Sequence, residues 1–217
     1  MSMDGRPSDH RRFRRALPGV ADTYEHLMGL LPRLIETPRL VITQTIAPAT
    51  AAAAGDNFRH LLSLGFRRFN LLPGYYIPWR EEQLASLRSG FAEIRSEITA
   101  RWSAGRYFYL RNLFTWAPTP FFNTGLVVDA DRSIHPSNVG LSGALDHLLE
   151  QTRVGTLDDP PDRATLAAGA ESVGKLLQSA LSERVRESTA AVDAELTALC
   201  QSLYPDFVAY RRRRGAA

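Results

Sequence analysis

Polar side chains stand where three short apolar runs near the N-terminus come to an end. They are Ser2 and Asp4 in the first run, Thr43, Gln44 and Thr45 in the second, and Asn70 in the third. Hydroxyl, carboxylate and amide groups can hydrogen-bond a polar ligand, but buried polar groups also need partners within the protein. Two interpretations therefore stay open: these side chains bond neighbouring loops, or they face a ligand.

The three runs are predicted strands of one parallel sheet. "RLVITQTI" and "RRFNLLPGYY" have the length and β-branched or apolar character of buried strands, and residues 1–3 have the character of a strand's last residues. We expect residues 39–45 and 67–72 to pair as parallel neighbours. Ligands of parallel α/β sheets bind at the carboxyl ends of the strands, which is where the polar residues lie.

Helical periodicity predicts the segments between these strands. Residues 19–36 form an amphipathic pattern with a break near Pro32, and further helices are predicted over 49–64 and 80–102. Strands and helices that alternate with short connections favour right-handed crossovers, so we expect the last two helices on the same side of the sheet.

The pattern changes after residue 104. "RYFYLRNLF" predicts a strand, "GLVVDADRSIHPSN" a hairpin with its turn at 129–132, and "SGALDHLLEQT" a short helix. Apolar residues then recur every three or four positions from Leu166 to Leu203, with Gly169 and Gly174 as plausible break points. We expect the apolar stripe over 171–203 to be covered by the open edge of the sheet or by a second copy of the chain.

These elements predict an α/β fold: a partial (βα) barrel of parallel strands with crossover helices, followed by a β-hairpin and a long C-terminal helix. The predicted segments are 1–104 for the partial barrel, 105–160 for the hairpin and short helix, and 161–217 for the amphipathic helix and basic tail.

Composition limits the classes of function. The pI is about 9.3, but the basic residues are nearly all arginine and are scattered among 23 acids. The arginine run at 211–214 is typical of a solvated tail, and no nucleic-acid-binding motif accompanies it. No apolar run is long enough to cross a bilayer. We therefore predict a cytoplasmic protein with neither a nucleic-acid nor a membrane partner.

Metal ligands are scarce in this sequence. Cys200 is the single cysteine, which excludes an internal disulfide and any multi-cysteine metal site built from this chain alone. The five histidines do not show the paired spacing that metal ligation favours. We predict no metal site, and the sequence assigns no catalytic residue.

Several motifs together resemble one enzyme family. "SMDGRPSDHRRFR" is similar to the mid-barrel motif of radical S-adenosylmethionine enzymes, in which Ser-x-Asp-Gly at a strand end is followed by a His and then an Arg. "LGFRRFNLLPGYYIPWREEQL" looks like the next-strand segment of that family. "GLVVDADRSIHPSN" looks like the hairpin of its cysteine-rich SPASM extension, with Arg132 in place of a usual Gly and Ser137 in place of a Cys.

The resemblance implies a ligand and a site. Ser2 and Arg14 would contact the methionyl group of S-adenosylmethionine, and Asp4 belongs to the same motif. Thr43, Thr45 and Asn70 would face its ribose or adenine. A planar guanidinium suits a carboxylate because it can donate two parallel hydrogen bonds, although Arg14 could also be a solvated member of the run "RRFRR".

The same resemblance implies an iron–sulfur cluster that this chain cannot bind. The family's four-iron four-sulfur cluster is held by a Cys-x-x-x-Cys-x-x-Cys loop, and this chain resembles a barrel that begins about halfway round, near the fourth strand. Met1 is then an internal methionine taken as a start, or the true start of a split or decayed gene.

Two functions of different classes remain. The first is the C-terminal part of a radical S-adenosylmethionine enzyme that acts on a peptide or small metabolite, with its missing half or a partner chain at the open sheet edge. The second is a non-catalytic α/β interaction protein that associates, for example as a homodimer, through its long C-terminal helix.

Overall fold

The structure is a computed structural model that describes residues 1–114, 126–137 and 146–215. Its strands are β1 (Ile42–Ile46), β2 (Arg68–Pro73), β3 (Tyr109–Leu110), β4 (Val127–Val128), β5 (Ser133–His135) and β6 (Gly155–Thr156). Its α-helices are α1 (Pro7–Phe13), α2 (Thr23–Gly29), α3 (Leu31–Glu36), α4 (Ala54–Ser63), α5 (Glu81–Ser103), α6 (Arg163–Ala180) and α7 (Glu183–Gly215). Short 3₁₀ helices cover Pro48–Ala53, Arg111–Phe114, Asp146–Leu148 and Glu150–Thr152.

The first sheet is parallel, which confirms the predicted pairing. β1 lies next to β2 with Ile42 opposite Phe69, and β2 lies next to β3. The N-terminal residues continue the sheet beyond β1, since Ser2 forms a parallel bridge with Thr43. Residues 1–3 therefore pair with β1 in parallel through backbone hydrogen bonds on both sides of Thr43.

One face of this sheet is covered and the other is half open. Side chains alternate along β1, so that Ile42, Gln44 and Ile46 are buried while Thr43 and Thr45 are half-buried. The buried face packs on α4 and α5, because apolar residues of both helices share one core with Ile42 and Phe69. Both crossover helices thus belong to the same side of the sheet, as expected. Polar side chains remain on the open face.

The N-terminal helices differ from the prediction. Helix α1 was not predicted: Pro7 stands in its first turn, where its fixed φ favours a helix and its missing N–H costs nothing. Helix α2 begins only at Thr23, because the side chain of Asp22 accepts a hydrogen bond from the Glu25 N–H and caps it. Val20, expected on the buried helix face, lies outside the helix and is 60% exposed.

The third strand is shorter than predicted. In "RYFYLRNLF" only Tyr109–Leu110 is extended, and a 3₁₀ turn follows at once. Asn112 in that turn replaces further strand pairing: its Oδ1 accepts from the Leu71 N–H at 2.8 Å, and its Nδ2 donates to the Leu71 carbonyl at 2.9 Å. A side-chain amide thereby satisfies the backbone at this edge of β2.

A small antiparallel sheet follows. β4 and β5 form the predicted hairpin, and the Arg132 N–H closes its turn by donating to the Asp129 carbonyl. Strand β6 pairs with the other side of β5 and was not predicted. The described part of "SGALDHLLEQT" consists of 3₁₀ turns, and the rest of that predicted helix lies outside the described residues.

The long C-terminal helix is divided, but not at its glycines. Helix α6 runs through Gly169 and Gly174 and ends before Leu181, whose backbone is extended. Gly169 allows a close approach, since a Cβ there would lie 2.5 Å from Cγ1 of Val154.

Ser182 starts the second helix, because its carbonyl and hydroxyl accept from the Val185 N–H. A Ser followed by Glu is an N-cap signal that the sequence analysis did not use.

Helix α7 buries its stripe within its own chain. Val192, Leu196, Leu199 and Leu203 belong to the same core as the first sheet. The helix runs along α5: Arg88 donates to the carboxylate of Glu195, Thr99 donates to Asp206, and Trp102 stacks on Tyr210. The covering surface is therefore α5, rather than the open sheet edge or a second copy that the sequence led us to expect.

The chain forms two compact units, Met1–Trp116 with Ser188–Ala217, and Ala117–Glu187. Each of the three predicted segments is continuous in sequence. The predicted C-terminal segment, however, is divided between the two compact units. That division into domains stays a prediction. Within the described ranges, no helix combines the length and hydropathy that a bilayer span requires.

Candidate functional site

Three of the predicted site residues form a row across the open face of the first sheet. Ser2 pairs with Thr43, and Thr43 in turn stands opposite Asn70 in the register of β1 and β2. Strand alternation places Thr43 and Asn70 on the open face, where both are half-buried, and Ser2 is exposed. The row presents two hydroxyls and one amide at about 4.8 Å spacing, the usual distance between neighbouring strands.

The other three predicted residues form a hydrogen-bonded cluster beside that row. Arg14 donates from Nε to Oδ2 of Asp4 at 2.8 Å and from Nη2 to Oδ1 at 3.1 Å. Nη2 also reaches Oγ1 of Thr45 at 3.4 Å, and the Thr45 N–H donates to Asp4 Oδ1 at 3.2 Å. Asp4, Arg14 and Thr45 thus come together, and Thr45 links the cluster to the row through β1.

The Asp4 carboxylate faces the protein and not the solvent. Its side chain is 5% exposed, and its two oxygens accept from three N–H groups, two of Arg14 and one of Thr45. The Arg14 side chain is 33% exposed, and its Nη1 makes no hydrogen bond to any residue in the described ranges. Arg14 can therefore contact a ligand, whereas Asp4 has no remaining access to one.

The loop that carries Asp4 is held by two buried side chains. The Asp4 N–H donates to Nδ1 of His10 at 3.3 Å, and the Arg6 N–H donates to Oδ1 of Asn57 at 2.9 Å. His10 is fully buried, and burial lowers its pKa, which keeps the imidazole neutral and Nδ1 able to accept. His10 therefore supports the loop.

A pocket of about 720 Å³ adjoins Ser2 and Arg14. Helices α1 and α2 and the segment between them supply its walls, and the other lining residues are His10, Phe13, Arg15, Val20, Ala21, Thr23, His26 and Leu27. No acidic side chain lines it among the described residues. The volume lies within the range typical of small-molecule sites, and its arginines suit an anionic group on a largely apolar ligand.

The sequence analysis missed one pair on the open face. Arg68 and Tyr109 are partners in the register of β2 and β3, and the Arg68 guanidinium lies 4.0 Å from the centre of the Tyr109 ring. Arg68 precedes Asn70 by two residues, so period-two alternation alone would have placed it on the same face. The pair extends the polar face beyond Asn70.

Sequence comparison provides no relative. No protein-family model matches the chain, and no curated protein sequence is significantly similar to it.

Comparison with solved structures does find similar folds. Native anSMEcpe with bound AdoMet and Kp18Cys peptide matches with a TM-score of 0.63 and 13% sequence identity, over 98% of this chain and 68% of that one. Hexahistidine-tagged anSMEcpe with bound AdoMet matches with a TM-score of 0.57 and 15% identity, over 87% of this chain and 51% of that one.

The fold resembles part of a radical S-adenosylmethionine enzyme. anSMEcpe is such an enzyme and has a SPASM domain. At 13% to 15% identity the likeness shows the fold alone, and this chain spans between about half and two thirds of the length of these structures.

The iron–sulfur cluster of that family does not fit the residues of this chain. Cys200 is the single cysteine, whereas the cluster requires three thiolates, and burial raises the pKa of its thiol to about 11. No group of three or more His, Cys, Asp or Glu side chains that could hold a metal exists within the described ranges.

Proposed function

We propose that this chain is the S-adenosylmethionine-binding part of a radical S-adenosylmethionine-type enzyme whose iron–sulfur cluster is held outside it, by another chain or another segment. Its substrate would be a peptide or a small metabolite. No radical step is assigned to this chain, because it lacks the ligands of the cluster that would supply the electron.

One observation carries the proposal: the row of Ser2, Thr43 and Asn70 adjoins the hydrogen-bonded cluster that holds Arg14, all at the open face of a parallel sheet. The row offers hydrogen-bonding groups of the kind that a ribose and an adenine need. Arg14 offers a cation at the point where a methionyl carboxylate would end. The AdoMet bound in structures of similar fold supports this assignment.

The alternative, an interaction protein that associates through its C-terminal helix, has less support. It required an exposed apolar stripe on this helix. From Val192 to Leu203, however, the stripe lies in the core of the chain itself. No observation in the described ranges favours that alternative over ligand binding.

Equilibrium dialysis with S-adenosylmethionine tests the proposal. We expect the wild-type chain to bind it, and Thr43→Val to lower the affinity about three- to tenfold, the usual contribution of one hydrogen bond. Thr99→Val is the matched control, since it makes the same change at a half-buried threonine that bonds Asp206 on the other side of the fold. Absence of binding by the wild-type chain would refute the proposal.

A further inference from the structure

Asp4 is the most deeply buried charge of the candidate site, yet it cannot itself contact a ligand. Both of its oxygens are taken up by Arg14 and by the Thr45 N–H. A buried carboxylate that only neutralised its partner would need no particular geometry. Here two N–H groups on one edge of the guanidinium, Nε and Nη2, meet the two oxygens, which fixes the plane of the Arg14 side chain as well as its charge.

Nη1 of Arg14 remains for a ligand. With Nε and Nη2 turned toward Asp4, Nη1 lies away from that carboxylate, and Arg14 lines the pocket next to Ser2. An arginine side chain that is free in solution loses much rotamer entropy when it binds an anion. An arginine that Asp4 already holds loses less rotamer entropy on binding, because most of that entropy is lost when the protein folds.

We infer that Asp4 is a positioning residue: it orients Arg14 so that Nη1 receives the carboxylate of the amino-acid end of the ligand. This inference rests on the proposed function and adds to it the role of Asp4 in orienting Arg14. It also changes the role of Asp4, which the sequence analysis had placed among the residues that contact the ligand.

Two effects of Asp4 on anion binding oppose each other. Its negative charge repels a ligand carboxylate, whereas its two hydrogen bonds hold Arg14 in place. Arg14 is one-third exposed, so water screens the repulsion strongly. The orientation of a bidentate donor is not screened in this way, and we expect it to dominate.

Two ligands separate positioning from general stability. S-adenosylmethionine carries the carboxylate, and decarboxylated S-adenosylmethionine keeps the adenosine, sulfonium and ammonium groups without it. The quantity to measure is the ratio of the two dissociation constants, by isothermal titration calorimetry of the full chain. If Asp4 had a merely structural role, Asp4→Asn would lower the affinity for both ligands equally and leave this ratio unchanged.

For Asp4→Asn we expect the preference for S-adenosylmethionine to fall by about tenfold or more, as for a lost charge-assisted contact, while binding of decarboxylated S-adenosylmethionine changes little. Arg14→Gln should show the same loss, and the double variant should lose no more than Arg14→Gln alone, because Asp4 acts through Arg14. Asp56→Asn, which removes an exposed carboxylate that also accepts from arginines, is the matched control.

Each other outcome contradicts the inference. An unchanged or increased preference in Asp4→Asn would show that charge outweighs orientation, and an equal loss for both ligands would show a structural role only. If Asp4→Asn does not fold by circular dichroism, Arg14→Lys serves instead: its ammonium keeps the charge pair but has no plane that Asp4 could fix, and a wild-type preference would refute the inference. A wild-type chain that binds neither ligand refutes the proposed function itself.

Discussion

Gly5 determines the direction of the loop that carries Asp4. Its φ is +142°, a conformation that side chains rarely adopt, and a Cβ at this position would collide with the side chain of Asn57. The same Asn57 accepts from the Arg6 N–H. A glycine is therefore required between the buried carboxylate and α1 for two independent reasons, the backbone conformation and the close approach of α4.

Gly5→Ala should lower the free energy of unfolding by about 1 to 3 kcal/mol, as expected for a residue forced into such a conformation. Urea denaturation followed by circular dichroism measures it. Gly19→Ala is the control, because its φ is +79° but nothing lies within 4 Å of the added methyl group. Equal losses in the two variants would show that the approach of Asn57 contributes nothing.

Two histidines make stability depend on pH. Burial lowers the pKa of both His10 and His60 from the usual 6.5. The folded chain thus binds fewer protons than the unfolded chain in acid, and stability falls as the pH drops below about 6.5 toward the folded pKa values. Below that range the Nδ1 of His10 is protonated and can no longer accept from the Asp4 N–H.

We expect the free energy of unfolding to decrease between pH 7 and pH 5, and His60→Gln to flatten this dependence. His60 bonds the hydroxyl of Tyr24 at 2.7 Å, and glutamine can replace that contact without titrating. His26→Gln, at an exposed position of α2, should leave the slope as in the wild type. The hypothesis fails if His60→Gln and the wild type have the same slope.

Helix α7 contacts both the loop after β2 and the hydrophobic core of the first unit. Its first turns hold the loop after β2: Ser188 and Thr189 accept from the N–H groups of Trp79 and Tyr76, and Asp193 accepts from the hydroxyl of Tyr75. Its later turns fill the core beside α5. The helix therefore contributes to the sheet's carboxyl edge as well as to the hydrophobic core.

Leu203→Glu should destabilise the chain strongly, by about 3 kcal/mol or more, because it places an unpaired carboxylate at a fully buried position. Thermal unfolding by circular dichroism gives the melting temperature. Gln201→Glu adds the same charge two residues earlier at an exposed position and should change it little. A melting temperature unchanged by Leu203→Glu would mean that α7 does not pack on α5.

At the scale of the whole molecule, the chain lacks the three thiolates that a four-iron four-sulfur cluster needs. The polar face and Arg14 lie in the first compact unit, and the sequence contains a single cysteine, Cys200. Anaerobic reconstitution of the purified chain with iron and sulfide should leave it colourless, and Cys200→Ser should not differ from the wild type. Binding of about four irons per chain, with a broad visible absorbance, would contradict this prediction.

Much of the architecture was predictable because it depends on local patterns. Apolar runs of strand length alternating with helical periodicity indicate parallel strands with crossover helices, and the turn at 129–132 follows from its own residues. The absence of cluster ligands follows from one cysteine. The row of Ser2, Thr43 and Asn70 was foreseeable too, since residues at corresponding strand ends of one sheet meet at one edge.

The contacts that give the site its properties depend on residues distant in sequence, and only the tertiary structure decided them. Asp4 turns inward because the Thr45 N–H and Arg14 converge on it, and no local pattern specifies that convergence. Likewise the stripe of α7 could have been covered by any apolar surface, and the path of the chain after residue 187 brought it to α5. Sequence periodicity shows that a face must be buried, whereas three-dimensional packing determines what buries it.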